Sequence, residues 1–153
     1  MESVRAATRA DLDLLSGFAA ALRTELAGER GGPLWIAREA TDDPSGRLAS
    51  LIESPDAIVV VGLIDDVPVG YAGASVEVLR DGRRLGVVEE LFTEPPARAV
   101  GVGEAMLETV LSFCRAAGCV GIDASALPGH REAKNFFERA GFTARRLVMY
   151  REL

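Results

Sequence analysis

Glu89-Glu90-Leu91-Phe92-Thr93-Glu94-Pro95-Pro96-Ala97-Arg98-Ala99-Val100-Gly101-Val102-Gly103 joins the end of a strand, a proline-marked turn and the start of a helix in one run. It places free backbone donors at a strand's end. Gly101 and Gly103 let a ligand approach the main chain, and the N–H groups of a helix's first turn have no partners within the helix. Such a terminus favours an anion. The helix dipole contributes only about 0.3–1 kcal/mol per charge, so directed N–H bonds must supply most of the affinity for a phosphate. A Gly-x-Gly pair by itself suits a flexible turn ahead of a packed helix equally well, so the context decides. A dinucleotide fingerprint needs a third small residue where this chain has Met106, and a P-loop needs Gly-Lys-Ser/Thr where it reads Gly103-Glu104-Ala105. Both nucleotide sites are excluded.

Downstream of this stretch, Val102, Met106, Val110, Leu111 and Phe113 recur on a helical period from Gly101 to Ala117, and Gly118 stops the helix. Val120 to Ser125 is a short strand, Pro128-Gly129 a loop, Arg131 to Ala140 an amphipathic helix ended by Gly141, and Phe142 to Glu152 a last strand. Upstream, Ala57 to Ile64, Val67 to Leu79 and Leu85 to Thr93 are strands separated by the turns Asp65-Asp66 and Arg80 to Arg83. They form an antiparallel meander. Thr8 and Asp11 cap a first helix from about Asp11 to Ala27, and Asp43-Pro44-Ser45 opens a shorter one through Leu48, Leu51 and Ile52. Between these helices, past the break from Gly28 to Pro33, Trp35 either anchors the core, the favoured reading, or lines an acceptor pocket. The order predicts one α+β domain over residues 1–153, with a central mixed, mostly antiparallel sheet flanked by about four helices.

With 153 residues the chain suits one domain, and its 48% hydrophobic content excludes a disordered chain. No apolar run approaches the roughly 20 residues of a membrane helix, and no apolar stretch follows the first residues as in a secretory signal. The cytoplasm is the expected compartment, with no membrane partner. Seventeen Lys and Arg against 23 Asp and Glu give a net charge of −6, which speaks against a nucleic-acid surface and slightly favours cationic partners. Cys114 and Cys119 lack metal-site or disulfide-framework spacing, so reduced thiols and no metal are expected.

Arg98-Ala99-Val100-Gly101-Val102-Gly103 resembles the Arg/Gln-x-x-Gly-x-Gly/Ala signature of the GNAT superfamily of acyl-CoA-dependent N-acyltransferases. A second motif extends the likeness. The family's last helix often reads Asn-x-x-Ala-x-x-Phe/Leu-Tyr-x-x-x-Gly-Phe, and this chain has His130-Arg131-Glu132-Ala133-Lys134-Asn135-Phe136-Phe137-Glu138-Arg139-Ala140-Gly141-Phe142. The resemblance implies an acetyl-CoA-dependent N-acetyltransferase acting on an amine-bearing small molecule or peptide. It implies that the pantetheine arm of coenzyme A lies along Leu91, Phe92 and Thr93 like an added strand. The pyrophosphate would sit on the backbone from Arg98 through Ala99, Val100, Gly101, Val102 and Gly103 to Glu104. His130, Ala133, Lys134 and Phe137 would face the cofactor from the last helix.

Amide formation needs a neutral amine. A lysine-type amine with pKa near 10.4 is neutral at pH 7 at a cost of about 4.6 kcal/mol, against about 1 kcal/mol for an α-amine near 7.7, so a base matters more for the first. Glu89 and Glu90 are the candidates, on opposite faces by strand alternation; Glu89 is preferred because it then shares a face with Leu91 and Thr93. The family's frequent general acid, a tyrosine, would fall at Phe137, so Tyr71, Tyr150 or water would have to serve, or none is needed. His130, the single histidine, is a third catalytic candidate, although a cap or cofactor contact suits it better. The absent tyrosine motivates a rival: a CoA-binding regulatory or complex-partner module with impaired catalysis. The last strand offers an edge for self-association into a homodimer.

Overall fold

The computed structural model describes residues 1–153. One five-stranded sheet runs in the order β1 (Glu2–Ala6), β2 (Ala57–Ile64), β3 (Val67–Val78), β4 (Arg84–Thr93) and β5 (Cys119–Asp123). The first four strands pair antiparallel, and β5 joins β4 in parallel through the crossover helix α4 (Val102–Ala116). The sheet is therefore mixed and mostly antiparallel, as expected. The β2–β3 turn closes on two residues, Asp65 at φ 49° and Asp66 at φ 66°, with Ile64 opposite Val67. Two successive left-handed residues match the twist of the strands, which is why this turn gives a tight hairpin.

Alternation along β2 divides the core. Val59, Val61 and Leu63 face α1 (Leu12–Ala27) and α3 (Pro44–Glu53), where they meet Leu15, Phe18, Leu22, Leu48, Tyr71 and Phe92. Val60 faces the other way, with Ala72, Ala74 and Val88 against Met106, Leu107 and Val110 of α4. That second interface is close because Gly62 and Gly70 carry no side chain: a Cβ on Gly62 would lie 2.7 Å from Val102 Cγ2, and one on Gly70 2.4 Å from the Phe92 carbonyl oxygen. No helix is long and apolar enough to cross a membrane. Cys114 is buried, and burial first, with Cys119 second, pushes its thiol up to about 11; both cysteines are free.

The structure adds three local details to the expected order of elements and corrects one element of it. Residues 2–6 form an edge strand that their sequence does not announce; it exists because Ser3 to Ala6 find the free side of β2, Ala6 opposite Val60. Residues 9–11 form a 3-10 turn whose Asp11 carboxylate accepts from the Thr8 backbone N–H at 2.8 Å, so α1 starts at Leu12. The region around Trp35 is a seven-residue helix, α2 (Gly32–Arg38), which makes five α-helices with α5 (Arg131–Arg139). Trp35 packs half-buried on the α1 core, with the Arg23 guanidinium 5.9 Å from its ring centre. The expected last strand from Phe142 to Glu152 does not form, and the sheet ends at β5. Its apolar pattern marks it as pairing-competent, while pairing requires a neighbour that this chain does not supply to it.

Candidate functional site

The parallel pairing of β4 with β5 covers only Arg84 to Val87, whereas β4 stays paired to β3 as far as Thr93. From Val88 onward one edge of β4 has no neighbouring strand. Its unpaired N–H and C=O groups face a cleft of about 340 Å³ between β4, α1, the start of α4 and α5. Leu91, Phe92 and Thr93 form one wall; His130, Ala133 and Phe137 come from the region of α5, with Phe136 beside them. These predicted residues are brought together.

At the head of the cleft the main chain is bent twice into the left-handed region, at Ala99 (φ 71°) and Gly101 (φ 91°). For Ala99, which carries a Cβ, this conformation costs about 1–3 kcal/mol. Ala99, Val100 and Gly101 donate no backbone hydrogen bond, and the helix's bonding begins only at the Ala105 N–H to Gly101 O bond of 3.0 Å. No side chain caps the helix. The result is a row of free N–H groups from residue 99 to 104, donors of the kind that suit an anion. A Cβ at Gly103 would stand 3.4 Å from the Phe136 ring and 3.7 Å from Thr93 Oγ1, inside the cleft. Val102 is 1% exposed and packs with Val69 and Ala97, which anchors the turn, while Val100 is half exposed and Glu104 lines the cleft. Lys134 stays outside the cleft lining, 3.4 Å from Glu138 on the surface.

Arg98 places its side chain across the cleft. Its Nε donates to the Thr93 carbonyl at 2.8 Å, Nη1 and Nη2 donate to the Glu25 carboxylate at 2.7 and 3.2 Å, and Nη1 also reaches Glu132 at 3.2 Å. The guanidinium lies 5.6 Å from the Phe92 ring centre. One residue thus ties α1, β4 and α5 together. His130, at the N-cap of α5, points Nε2 to within 3.8 Å of the same Glu25 carboxylate.

Glu89 and Glu90 occupy a different recess, with Pro44, Arg47, Leu48, Leu51 and Gly73, so His130 does not join them. The expectation of opposite faces fails. Gly73 pairs with Glu90 and Ala74 with Val88, which leaves Glu89 as an extra residue in β4. This β-bulge interrupts the alternation, so both carboxylates turn towards α1 and α3, and Glu89 loses the face it was expected to share with Leu91 and Thr93. Glu89 accepts from Arg47 Nε at 2.9 Å and Nη2 at 2.6 Å. Glu90 accepts from Arg23 Nη2 at 3.0 Å and from the Tyr71 hydroxyl. Tyr71 is fully buried; burial first, and the Glu90 charge second, raise its pKa far above the usual phenol, so it keeps its proton and donates to Glu90. Tyr150 is 70% exposed and lines neither recess.

Sequence reasoning missed Arg23, Glu25, Arg47 and Glu132, whose partners are distant in the chain. Gly73 was a readable sign of the bulge, since a strand glycine often marks one. No three His, Cys, Asp or Glu side chains converge to hold a metal ion.

A solved structure of a tetramutant of the BH1408 protein from Bacillus halodurans is 16% identical to this chain with a TM-score of 0.81, covering 99% of each. An aminoglycoside acetyltransferase, meta-AAC0020, from an uncultured soil metagenomic sample, solved with sisomicin, is 15% identical with a TM-score of 0.71, over 99% of this chain and 95% of its own. AAC(6')-Iy, solved with the bisubstrate analogue CoA-S-monomethyl-acetylneamine, is 19% identical with a TM-score of 0.70, over 100% and 99%. No curated protein matches the chain in sequence. The acetyltransferase (GNAT) family model matches residues 22–142, from α1 through the β4 edge, the free N–H row and α5, so the chain belongs to the GNAT acetyltransferase family.

Proposed function

We propose that this chain is an N-acetyltransferase that moves an acetyl group from acetyl-CoA to a primary amine on a small, cationic acceptor. The observation that carries this reading is the free β4 edge continuing into an uncapped row of N–H groups at the start of α4. An edge with unpaired amide groups suits the amide-bearing arm of coenzyme A, and the N–H row suits its diphosphate. The missing side chain at Gly103 leaves room there. Bound acetyl-CoA supplies a thioester whose acyl carbon is open to attack by an amine.

The chain's own residues bind and move a proton. Leu91, Phe92 and Thr93 hold the arm; Arg98 to Glu104 hold the diphosphate through their backbone. His130, Ala133 and Phe137 close the cleft from α5, His130 as a cofactor contact. Lys134, the remaining residue of this group, would meet the cofactor's outer phosphate beyond the cleft. Glu89 receives the amine proton, directly or through water. Its partner Arg47 is 47% exposed and can be displaced by an incoming ammonium, whereas Glu90 is held between Arg23, 16% exposed, and buried Tyr71. Glu90 therefore acts as a fixed negative charge behind the acceptor. Departure of the thiol needs no tyrosine, because a thiol of pKa about 8.5 leaves tolerably as thiolate. Free Cys114 and Cys119 suit a reducing compartment, consistent with action in the cytoplasm on a soluble amine.

The test is release of free thiol from acetyl-CoA with a panel of amines that includes aminoglycosides and polyamines. Glu89→Gln is expected to lower kcat by about 10²–10⁴ while leaving coenzyme A affinity unchanged. Full activity in that variant would remove Glu89 from the mechanism. Phe137, a ring without a hydroxyl in the cleft, favours the second reading, a coenzyme A-binding regulatory module. Cofactor binding without turnover across the whole panel would establish that reading instead.

A further inference from the structure

The recess beside the cleft is filled by an ion pair of its own. Glu89 and Glu90 line it, and Leu91, the next residue of β4, begins the cleft wall, so the two spaces are consecutive along one strand. Only about 10 Å³ of the recess is free, with the Arg47 side chain reaching in from α3. Glu90 is committed elsewhere, accepting from Arg23 Nη2 and from buried Tyr71. Glu89 and Arg47 are therefore the exchangeable charges of the recess, one negative and one positive. Arg47 meets Glu89 through two parallel bonds, Nε at 2.9 Å and Nη2 at 2.6 Å, and its guanidinium donates to nothing else.

Each member of this pair shows what the other can bind. The Glu89 carboxylate sits side-on in the Arg47 fork, the geometry in which a guanidinium takes a carboxylate. The guanidinium in turn stands where Glu89 would receive an ammonium. Arg47 is 47% exposed, so its arm can swing outward by the width of a ligand while its stem stays on α3. A ligand that opens the pair must replace both partners or leave one charge unmatched. An amine without a carboxylate satisfies Glu89 alone and strands the Arg47 guanidinium beside a like charge. An ammonium with a carboxylate on the adjoining carbon satisfies both.

We propose that the acceptor is an α-amino acid, its ammonium on Glu89 and its carboxylate on Arg47, so that Arg47 selects the acceptor. This rests on the acetyl transfer proposed for the chain and narrows its acceptor; with a basic side chain such an amino acid is cationic overall. One proton of the ammonium passes to Glu89. The nitrogen then bonds to the acyl carbon as the thioester C–S bond breaks, and the thiolate takes that bond's electron pair and the nitrogen's surplus proton.

Arginine and agmatine are compared as acceptors, since each has one primary amine and they differ only in the carboxylate; ornithine with putrescine and lysine with cadaverine extend the series. Thiol release reads turnover, and calorimetry on the protein saturated with coenzyme A reads binding independently of catalysis. In at least one pair the amino acid is expected to have a lower KM and Kd than its amine by about tenfold or more, the range of a hydrogen bond to a charged group. Arg47→Met is expected to erase this difference, with the loss falling on the amino acid. Arg47→Lys keeps the charge without the fork and is expected to recover only part of it. Melting temperature and coenzyme A affinity report the folding of both variants. Binding that prefers the amino acid without turnover would uphold the role of Arg47 and overturn the acetyl transfer alone. The proposal is overturned if no amino acid outbinds its decarboxylated partner, or if the preference survives in Arg47→Met.

Discussion

Replacing Gly103 separates binding from folding, because the position lies on the cleft wall yet has ordinary helical geometry. Its φ is not positive, and an added Cβ would meet the Phe136 ring at 3.4 Å and Thr93 Oγ1 at 3.7 Å, ordinary contact distances. Gly103→Ala is therefore tolerated by the fold. Alanine is favoured over glycine in a helix interior by about 1 kcal/mol, and less in a first turn, so the melting temperature should stay level or rise by up to about 3 °C. Gly103→Glu adds a carboxylate beside the N–H row. At about 4 Å from one diphosphate charge and an effective dielectric of about 20, the repulsion is roughly 4 kcal/mol, and solvent and side-chain rotation reduce it to about 2 kcal/mol. Coenzyme A should then bind about thirtyfold more weakly. Titration calorimetry with coenzyme A and thermal melts on the three proteins test this. A folded Gly103→Glu variant that binds within twofold of the parent would refute the assignment of residues 98–104 to the diphosphate.

Two further outcomes concern stability. Asp11 is held to about 2 by the Arg5 guanidinium first, against burial, with help from the Thr8 backbone N–H; its side chain is 11% exposed. Because the folded pKa lies below the ordinary value of about 3.9, the pair stabilises the fold by about 2 kcal/mol above pH 4, and this is lost as pH falls towards 2. Asp11→Asn should cost about that much at pH 7 and flatten the acid limb of a denaturant series measured across pH; an unchanged acid limb would count against it. Gly70→Ala should destabilise by at least about 2 kcal/mol, since its Cβ would lie 2.4 Å from the Phe92 carbonyl oxygen, a backbone atom that cannot turn aside. A denaturation midpoint equal to the parent's would show that β3 and β4 separate more easily than their register suggests.

Much of this protein is legible in local pattern. The apolar spacing Leu15, Phe18, Leu22 and the β-branched run of β2 depend on neighbours three, four or two residues away, so the helix, the meander and the crossover follow from the amino acids in order. The run from Leu91 to Glu104 is local too, because a strand end, a turn and a helix start are contiguous in the chain. What required tertiary structure was the choice of partners. Residues 2–6 become a strand only against β2, and the tail with a better strand pattern does not, because a ladder needs a neighbour as much as a propensity. Gly73 opposite Glu90 fixes the bulge that turns Glu89 towards Arg47. Arg98 meets Glu25 across 73 residues. Periodicity assigns a side chain to a face, but strand register and the packing of distant elements decide what it meets there.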